Sequence, residues 1–92
     1  MQDLAAGDAS FEKGEEHRKL NLFREAVEYY KLAVCLDKKH IKAYCWLGRT
    51  LLILEKYQEA LEITEKAKMI SCKEGMILSN LGWAYAALGR YS

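Results

Sequence analysis

A repeat of 34 residues runs through this sequence and leaves few folds open to it. The stretch LNLFREAVEY at residues 20–29 is echoed by LEKYQEALEI at residues 54–63. The same spacing relates three glycines and three aromatic residues, which are Gly14, Gly48, Gly82, Phe23, Tyr57 and Tyr91. A fixed period of this length is typical of stacked repeats, in which one supersecondary unit recurs and buries its apolar face against its neighbours.

The spacing of apolar residues within each repeat predicts helices. In the segment AYCWLGRTLLIL, residues 43–54, the side chains of one helical face follow the i, i+3, i+4, i+7 rule, and residues 77–88 show the same pattern. The matching face of the first copy is polar, and we expect it to face solvent; it comprises Ser10, Lys13, Gly14 and His17. The chain contains no proline, so Asn21, Glu55 and Gly89 are the residues we expect to close the first helix of each copy in the left-handed conformation.

These patterns predict an all-α chain of five helices that pack as antiparallel pairs. The predicted helices lie near residues 8–20, 24–37, 42–54, 58–71 and 76–88. Alanines recur on the second helix of each complete copy, at Ala26, Ala33, Ala60 and Ala67. Small side chains let helix axes approach closely, so these positions predict tight contacts between helices.

With glycine at the eighth place, an aromatic residue at the seventeenth and alanines at the twentieth and twenty-seventh, the chain resembles the tetratricopeptide repeat (TPR) family. The resemblance covers two full repeats, 7–40 and 41–74, and a third, 75–92, that stops after its first helix. Lys38 and Cys72 stand where the family often has proline. The resemblance implies one domain folded as a right-handed α-solenoid, whose first helices line a concave groove that holds a partner. It also implies a scaffold or adaptor rather than an enzyme.

One ligand mode of the family, a clamp for the acidic C-terminal tail of chaperones, is not expected here. That mode requires basic and asparagine side chains at five groove places. This chain has Phe11, Glu15, Trp46, Met76 and Asn80 there.

The groove places instead predict binding of a peptide or helix with apolar anchor residues. The candidate binding residues are Phe11, Lys42, Cys45, Trp46, Arg49, Met76, Asn80 and Trp83. Aromatic side chains and arginine are enriched at interface hot spots, and the resemblance suggests that the Asn80 amide holds a ligand backbone. Packing within the protein is an equally good explanation for Trp46 and Trp83.

Self-association is the alternative function. The third copy lacks a second helix, so we expect an uncovered apolar stripe of Leu78, Leu81 and Tyr85 on its first helix. We expect a stripe of this kind to be covered by a further helix of a longer repeat protein or, as the alternative, by a second copy in a homodimer.

Composition argues against several other classes of protein. The net charge is +1, with 14 basic and 13 acidic residues, so we expect neither a nucleic-acid partner nor a membrane surface. No catalytic set or phosphate loop is present, so we expect no enzymatic activity and no cofactor. Three widely spaced cysteines fit a reducing, cytoplasmic environment. A zinc site at Cys35, His40 and Cys45 would need a fourth ligand and a convergent geometry, so we expect no metal.

Overall fold

The computed structural model describes residues 3–71 and 74–89 and shows five α-helices within them. They are α1 (Leu4–Lys19), α2 (Phe23–Leu36), α3 (Ile41–Ile53), α4 (Tyr57–Ile70) and α5 (Gly75–Leu88). No strand occurs in the described ranges. The predicted all-α architecture of five helices is therefore confirmed. Tyr91 and Cys72, which the sequence analysis named, lie outside the described residues.

The first helix begins at Leu4, earlier than the predicted residue 8. Its cap explains the difference: a carboxylate oxygen of Asp3 accepts a hydrogen bond of 3.0 Å from the backbone N–H of Ala6. The backbone N–H of Asp3 also donates to the carbonyl of Leu36 at the end of α2. A side chain that caps the free N–H groups of the first turn stabilises a helix start by about 1 kcal/mol. The extra turn of α1 thus depends on a cap and on α2, neither of which apolar periodicity reveals.

The helices stack in a row of antiparallel pairs. Each helix packs against the next along the chain, and α3 also contacts α5 directly. A salt bridge of 3.3 Å between Lys31 and Glu59 connects α2 with α4. The result is an elongated molecule of 41 × 28 × 18 Å in two layers. One layer contains α1, α3 and α5, and the other contains α2 and α4.

Left-handed residues close the first helix of each copy, as predicted. Asn21, Glu55 and Gly89 have φ angles of 62°, 63° and 66°. After α1 the backbone N–H of Leu22 donates to the carbonyl of His17, and after α3 that of Lys56 donates to the carbonyl of Leu51. Bonds of this type satisfy the last carbonyls of a helix while the chain reverses direction.

Two of the repeat glycines allow the helices of a pair to approach closely. A Cβ atom at Gly14 would lie 2.6 Å from the ring of Tyr30 on α2, and one at Gly48 would lie 2.7 Å from the hydroxyl oxygen of Thr64 on α4. The prediction that the first copy's polar face points to solvent is wrong at its centre, since Ser10 and Gly14 are buried. At Gly14, the large ring of Tyr30 supplies the apolar contact that glycine lacks.

A continuous apolar core runs through all four helix contacts along the chain. Ala26, Ala33, Ala60 and Ala67 are completely buried, as close packing of the second helices requires. The largest fully buried side chains on the other helices are Leu47, Leu51, Leu52 and Ile77. Within the described part of the chain, no helix combines the length and the hydropathy needed to cross a membrane.

Candidate protein-binding groove

The candidate groove is built on three helices that repeat the same spacing of side chains. Lys42, Trp46 and Arg49 lie at i, i+4 and i+7 on α3, so they share one face of that helix. Met76, Asn80 and Trp83 occupy the same three places on α5, 34 residues later. Phe11, Glu15 and Arg18 show the same spacing on α1. Contacts between these helices bring the three faces onto one surface.

The predicted binding residues differ in their exposure on this surface. Lys42 and Trp83 are exposed, and 41% of Trp83 is accessible. Four residues are half-buried: Phe11, Trp46 and Met76, which pack against the core, and Arg49. Cys45 and Asn80 are buried, with none of Asn80 accessible.

The first contact across the surface joins α1 to α3. The central carbon of the Arg18 guanidinium lies 3.9 Å from the centre of a Trp46 ring. Arginine over an indole face is held by the attraction between the cation and the ring quadrupole. Arg18 also donates two hydrogen bonds to Glu15, from Nε to Oε1 at 3.1 Å and from Nη2 to Oε2 at 3.0 Å. This pairing fixes the guanidinium above Trp46.

Tyr30 closes the network beneath Arg18. Its hydroxyl accepts a hydrogen bond of 3.2 Å from Arg18 Nε and donates to a carboxylate oxygen of Glu15. Partial burial opposes ionisation of Glu15, but the hydrogen bonds from Arg18 and Tyr30 outweigh it and lower the Glu15 pKa. Burial first, and then the bond to the Glu15 carboxylate, raises the pKa of Tyr30 well above its usual value. Glu15 therefore stays ionised, and its negative charge is already paired with Arg18.

The second contact joins α3 to α5. The Arg49 guanidinium lies 5.4 Å from the centre of a Trp83 ring. Its Nε donates to Asn80 Oδ1 at 2.7 Å, and its Nη2 donates to Ser79 Oγ at 3.0 Å. The side-chain nitrogen of Asn80 donates in turn to the carbonyl of Cys45 at 3.0 Å. Asn80, which the resemblance suggested as a ligand contact, uses its amide within the protein to position Arg49.

Together these contacts form what we call the Arg–Trp row, which consists of Arg18, Trp46, Arg49 and Trp83. The sequence pattern predicted Trp46, Arg49 and Trp83 as binding residues, but neither Arg18 nor Ser79. The repeat did not point to Arg18, because the residue 34 places later is Leu52, which is buried in the core. Ser79 had no signal either.

His40 has a structural role at the start of α3. Its Nδ1 accepts a hydrogen bond of 3.2 Å from the backbone N–H of Ala43, and its Nε2 lies 2.8 Å from Asp8 Oδ1. Because Nδ1 is an acceptor, Nε2 carries the hydrogen and donates a hydrogen bond to Asp8 Oδ1. Phe11 packs beside this ring at a centroid distance of 5.0 Å. His40 thereby links α1 to α3 through both ring nitrogens.

The residues weighed as zinc ligands are separated in the structure. Cys35 is exposed on α2, whereas Cys45 is buried on α3, where burial raises the pKa of its thiol to about 11. Across residues 3–71 and 74–89, no three His, Cys, Asp or Glu side chains are grouped so that they could hold a metal ion. Cys72 lies outside those ranges.

Comparison with known proteins identifies the family. A sequence profile described as tetratricopeptide repeat matches residues 7–40 and 41–71. The chain belongs to the tetratricopeptide repeat family. Among solved structures it is similar to the TPR domain of Arabidopsis OM64, with a TM-score of 0.92 and 28% sequence identity over 96% of this chain and 73% of that one. No curated protein sequence gives a significant match.

This TPR chain is thus an all-α solenoid of a kind that serves generally as a protein–protein interaction module. The fold is typically a non-enzymatic scaffold. Because a fold by itself does not assign a partner, the specific function has to be argued from the Arg–Trp row.

Proposed function

We propose that the Arg–Trp row binds a peptide or short helix of a partner protein through apolar anchor residues. The observation that carries this proposal is the pair of stacks in which Arg18 lies over Trp46 and Arg49 lies close to the Trp83 ring. Both stacks hold large aromatic surfaces in place while part of each surface stays accessible. Binding to a surface that is already ordered loses less conformational entropy, so more of the contact energy appears as affinity.

The remaining predicted residues support this surface from different depths. Phe11 and Met76 are half-buried and pack against the core, so they contribute partial apolar contact at its margins. Cys45 and Asn80 act from beneath, since the Asn80 amide connects the Cys45 carbonyl to Arg49. We propose that the ligand touches Lys42, Trp46, Arg49 and Trp83 most directly.

The proposal also covers what the protein does not bind and where it works. The chaperone-tail mode is not part of it, because Glu15 is a paired carboxylate at a place where that mode needs asparagine. Binding without catalysis, without nucleic acid and in the cytoplasm is the simplest account of the balanced charge and of the free thiols of Cys35 and Cys45.

A selection of displayed random peptides tests the proposal. Peptides of about 15 residues extend to about 50 Å, which exceeds the 41 Å length of the molecule. We expect enriched peptides to bind the wild type, and to lose about tenfold or more in affinity with Trp83→Ala, as for a hot-spot aromatic. Met69→Ala is the matched control, because Met69 is a strongly exposed apolar side chain outside the row. Unchanged binding to Trp83→Ala would refute the proposed site.

Self-association through α5 is a second candidate, favoured by the environment of Gly82. A Cβ atom at Gly82 would meet no atom within 4 Å, whereas the equivalent Gly14 and Gly48 are covered by α2 and α4. Leu78 is 63% accessible on the same side of α5. Leu81 is only 8% accessible, and the Tyr85 hydroxyl donates to Glu65 at 2.7 Å. The stripe that could meet a second copy is therefore centred on Leu78 and Gly82.

Sedimentation velocity over a range of concentrations tests this second candidate. Self-association predicts a mass that rises with concentration in the wild type and stays monomeric with Leu78→Lys. Met69→Lys adds the same charge at an exposed position on α4 and should behave as the wild type does. A wild-type monomer at every concentration would contradict the dimer. Leu81→Lys is unsuitable, because a buried lysine would destabilise the fold itself.

A further inference from the structure

Charge is distributed unevenly over the three helices of the groove. Helix α3 carries two cations, Lys42 and Arg49, and no Asp or Glu, while α5 carries no charged residue. Helix α1 in contrast carries four carboxylates, at Asp8, Glu12, Glu15 and Glu16, together with the cations Lys13, Arg18 and Lys19. Neither Lys42 nor Arg49 forms an ion pair with any residue in the described ranges, including Glu74 just before α5. The half of the groove between α3 and α5 therefore presents two cations that pair with no described carboxylate, although the charge of Glu74 reaches Cys45 on α3.

The two arginines of the row differ in how they are held. Arg18 uses its Nε and Nη2 edge for both oxygens of the Glu15 carboxylate. Arg49 uses the same edge for two neutral oxygens, Asn80 Oδ1 and Ser79 Oγ. A guanidinium has five N–H donors in a planar fork. The end of Arg49 formed by Nη1 and the second hydrogen of Nη2 is thus left for another acceptor.

The geometry of this free end suits a carboxylate. Two parallel N–H groups bind both oxygens of a carboxylate, and such charge-assisted pairs are about twice as strong as neutral hydrogen bonds. Asn80 is completely buried and anchored to the Cys45 carbonyl, so it holds Arg49 in a fixed position before any ligand arrives. A half-buried cation with only neutral partners also gains more from an anion than a fully hydrated one does.

We propose, building on the function proposed above, that the bound peptide carries an acidic side chain that pairs with the free end of Arg49 between two apolar anchors. Trp46 lies one turn before Arg49 on α3, and Trp83 lies beside it from α5, so apolar contacts are offered on both sides. An extended peptide can therefore continue past Arg49 in both directions. This favours an internal Asp or Glu side chain over a C-terminal carboxylate as the anion.

Lys42 strengthens the preference for an acidic peptide without binding the same acidic group as Arg49. It lies seven residues from Arg49 on one helix, which corresponds to a separation of about 10 Å along the axis. At that distance, Lys42 and Arg49 are poorly placed to bind one phosphate together. Lys42 instead adds positive potential at the α3 end of the site, where a second acidic residue of the ligand is favoured.

The peptides selected against the wild type provide the probe for this proposal. We expect them to contain Asp or Glu flanked by aromatic or large aliphatic residues. The decisive comparison is a synthetic, C-terminally amidated peptide and its variant with that Glu replaced by Gln. The replacement should weaken binding to the wild type about tenfold, since hydrogen bonds between charged groups are worth more than neutral ones.

The same peptide pair is then measured against substituted proteins. With Arg49→Gln, the Glu and Gln peptides should bind equally, which is the double-mutant signature of a direct pair. Arg49→Lys keeps the charge but lacks the fork, so it should retain only part of the preference. Arg24→Gln removes an exposed arginine from α2 and should leave the full tenfold preference, which controls for net charge. Circular dichroism of each variant shows whether the helices are intact.

Each outcome separates this inference from the function on which it rests. Enriched peptides that depend on Trp83 but show no acid preference would overturn the inference and leave the binding site standing. A preference that persists in Arg49→Gln, or that disappears only when the C-terminus is amidated, would also overturn it. If a phosphopeptide binds the wild type far better than the Glu peptide does, the proposed carboxylate ligand is overturned in favour of a phosphate group. If no peptide is enriched at all, the proposed function itself fails.

Discussion

Arg18 and Arg49 have the same side chain and both lie close to an indole, but their electrostatic surroundings differ. Arg18 is paired with the Glu15 carboxylate over Tyr30, whereas Arg49 is held by the neutral oxygens of Asn80 and Ser79. The first arrangement stabilises the contact between α1 and α2, because three polar groups satisfy one another near the core. The second leaves a positioned cation for a ligand. The two arginines thus have separate structural and binding roles.

The role of Glu15 predicts a specific dependence of stability on pH. Its pKa is lowered in the folded protein, so its ionised form contributes stability that is complete above the unfolded pKa and is lost as pH falls through the folded pKa. Glu15→Gln should therefore lower the free energy of unfolding by about 1–2 kcal/mol at neutral pH. At acid pH below the folded pKa, the difference from wild type should shrink.

Urea unfolding followed by circular dichroism at neutral and acid pH measures this difference. Glu16→Gln is the control, because Glu16 is its exposed neighbour and makes no comparable pairing. The account of Glu15 would be contradicted by a loss of stability that is equally large at both pH values, or by an equal loss in the control.

At the scale of the helices, the same glycine of the repeat is used in two ways. Gly14 and Gly48 lie against Tyr30 and Thr64 of the following helix, while Gly82 lies against open space. Thr64 cannot move away easily, since its hydroxyl donates to the Ala60 carbonyl at 2.7 Å. The close contact within a pair therefore demands glycine on α3 but not on α5.

Substitution of these glycines by alanine should have effects of opposite sign. Gly48→Ala forces a Cβ into Thr64 and should destabilise the protein by about 1–3 kcal/mol, the usual range for overpacking. Gly82→Ala meets no neighbour and replaces the more flexible residue inside a helix, so it should stabilise by up to about 1 kcal/mol. Thermal or urea unfolding of the two variants measures both values. Equal destabilisation by the two substitutions would show that α5 is covered in solution.

The helices were more predictable from the sequence than their partners were. The 34-residue period and the i, i+3, i+4, i+7 spacing predict five helices and their left-handed ends, because those features depend on local periodicity and on residues such as Asn21 and Gly89. The burial of Gly14 was not predictable from its own face, since it follows from the large Tyr30 ring on another helix. The Asp3 cap likewise depends on contact with Leu36.

At the scale of the whole molecule, the groove is one face of a thin solenoid, and its three helices differ in charge. Helix α1 carries four carboxylates and three cations, α3 carries cations only, and α5 contributes uncharged apolar and amide groups. The sequence indicated most of this surface, because groove places recur with the helical repeat. It could not show which side chains bind a ligand and which bind each other, since Asn80 and Arg49 are 31 residues apart and only the packed helices bring them together.

The measurement that tests the central claim most directly is a proton–nitrogen correlation spectrum of the protein with its tightest selected peptide. The chain has two tryptophans, so the spectrum contains two indole N–H signals, which Trp46→Phe and Trp83→Phe would assign. If the Arg–Trp row binds the peptide, both indole signals shift on titration, and backbone amides on the outward faces of α2 and α4 stay in place. Saturable binding that leaves both indole signals unchanged would contradict the account and place the site elsewhere on the solenoid.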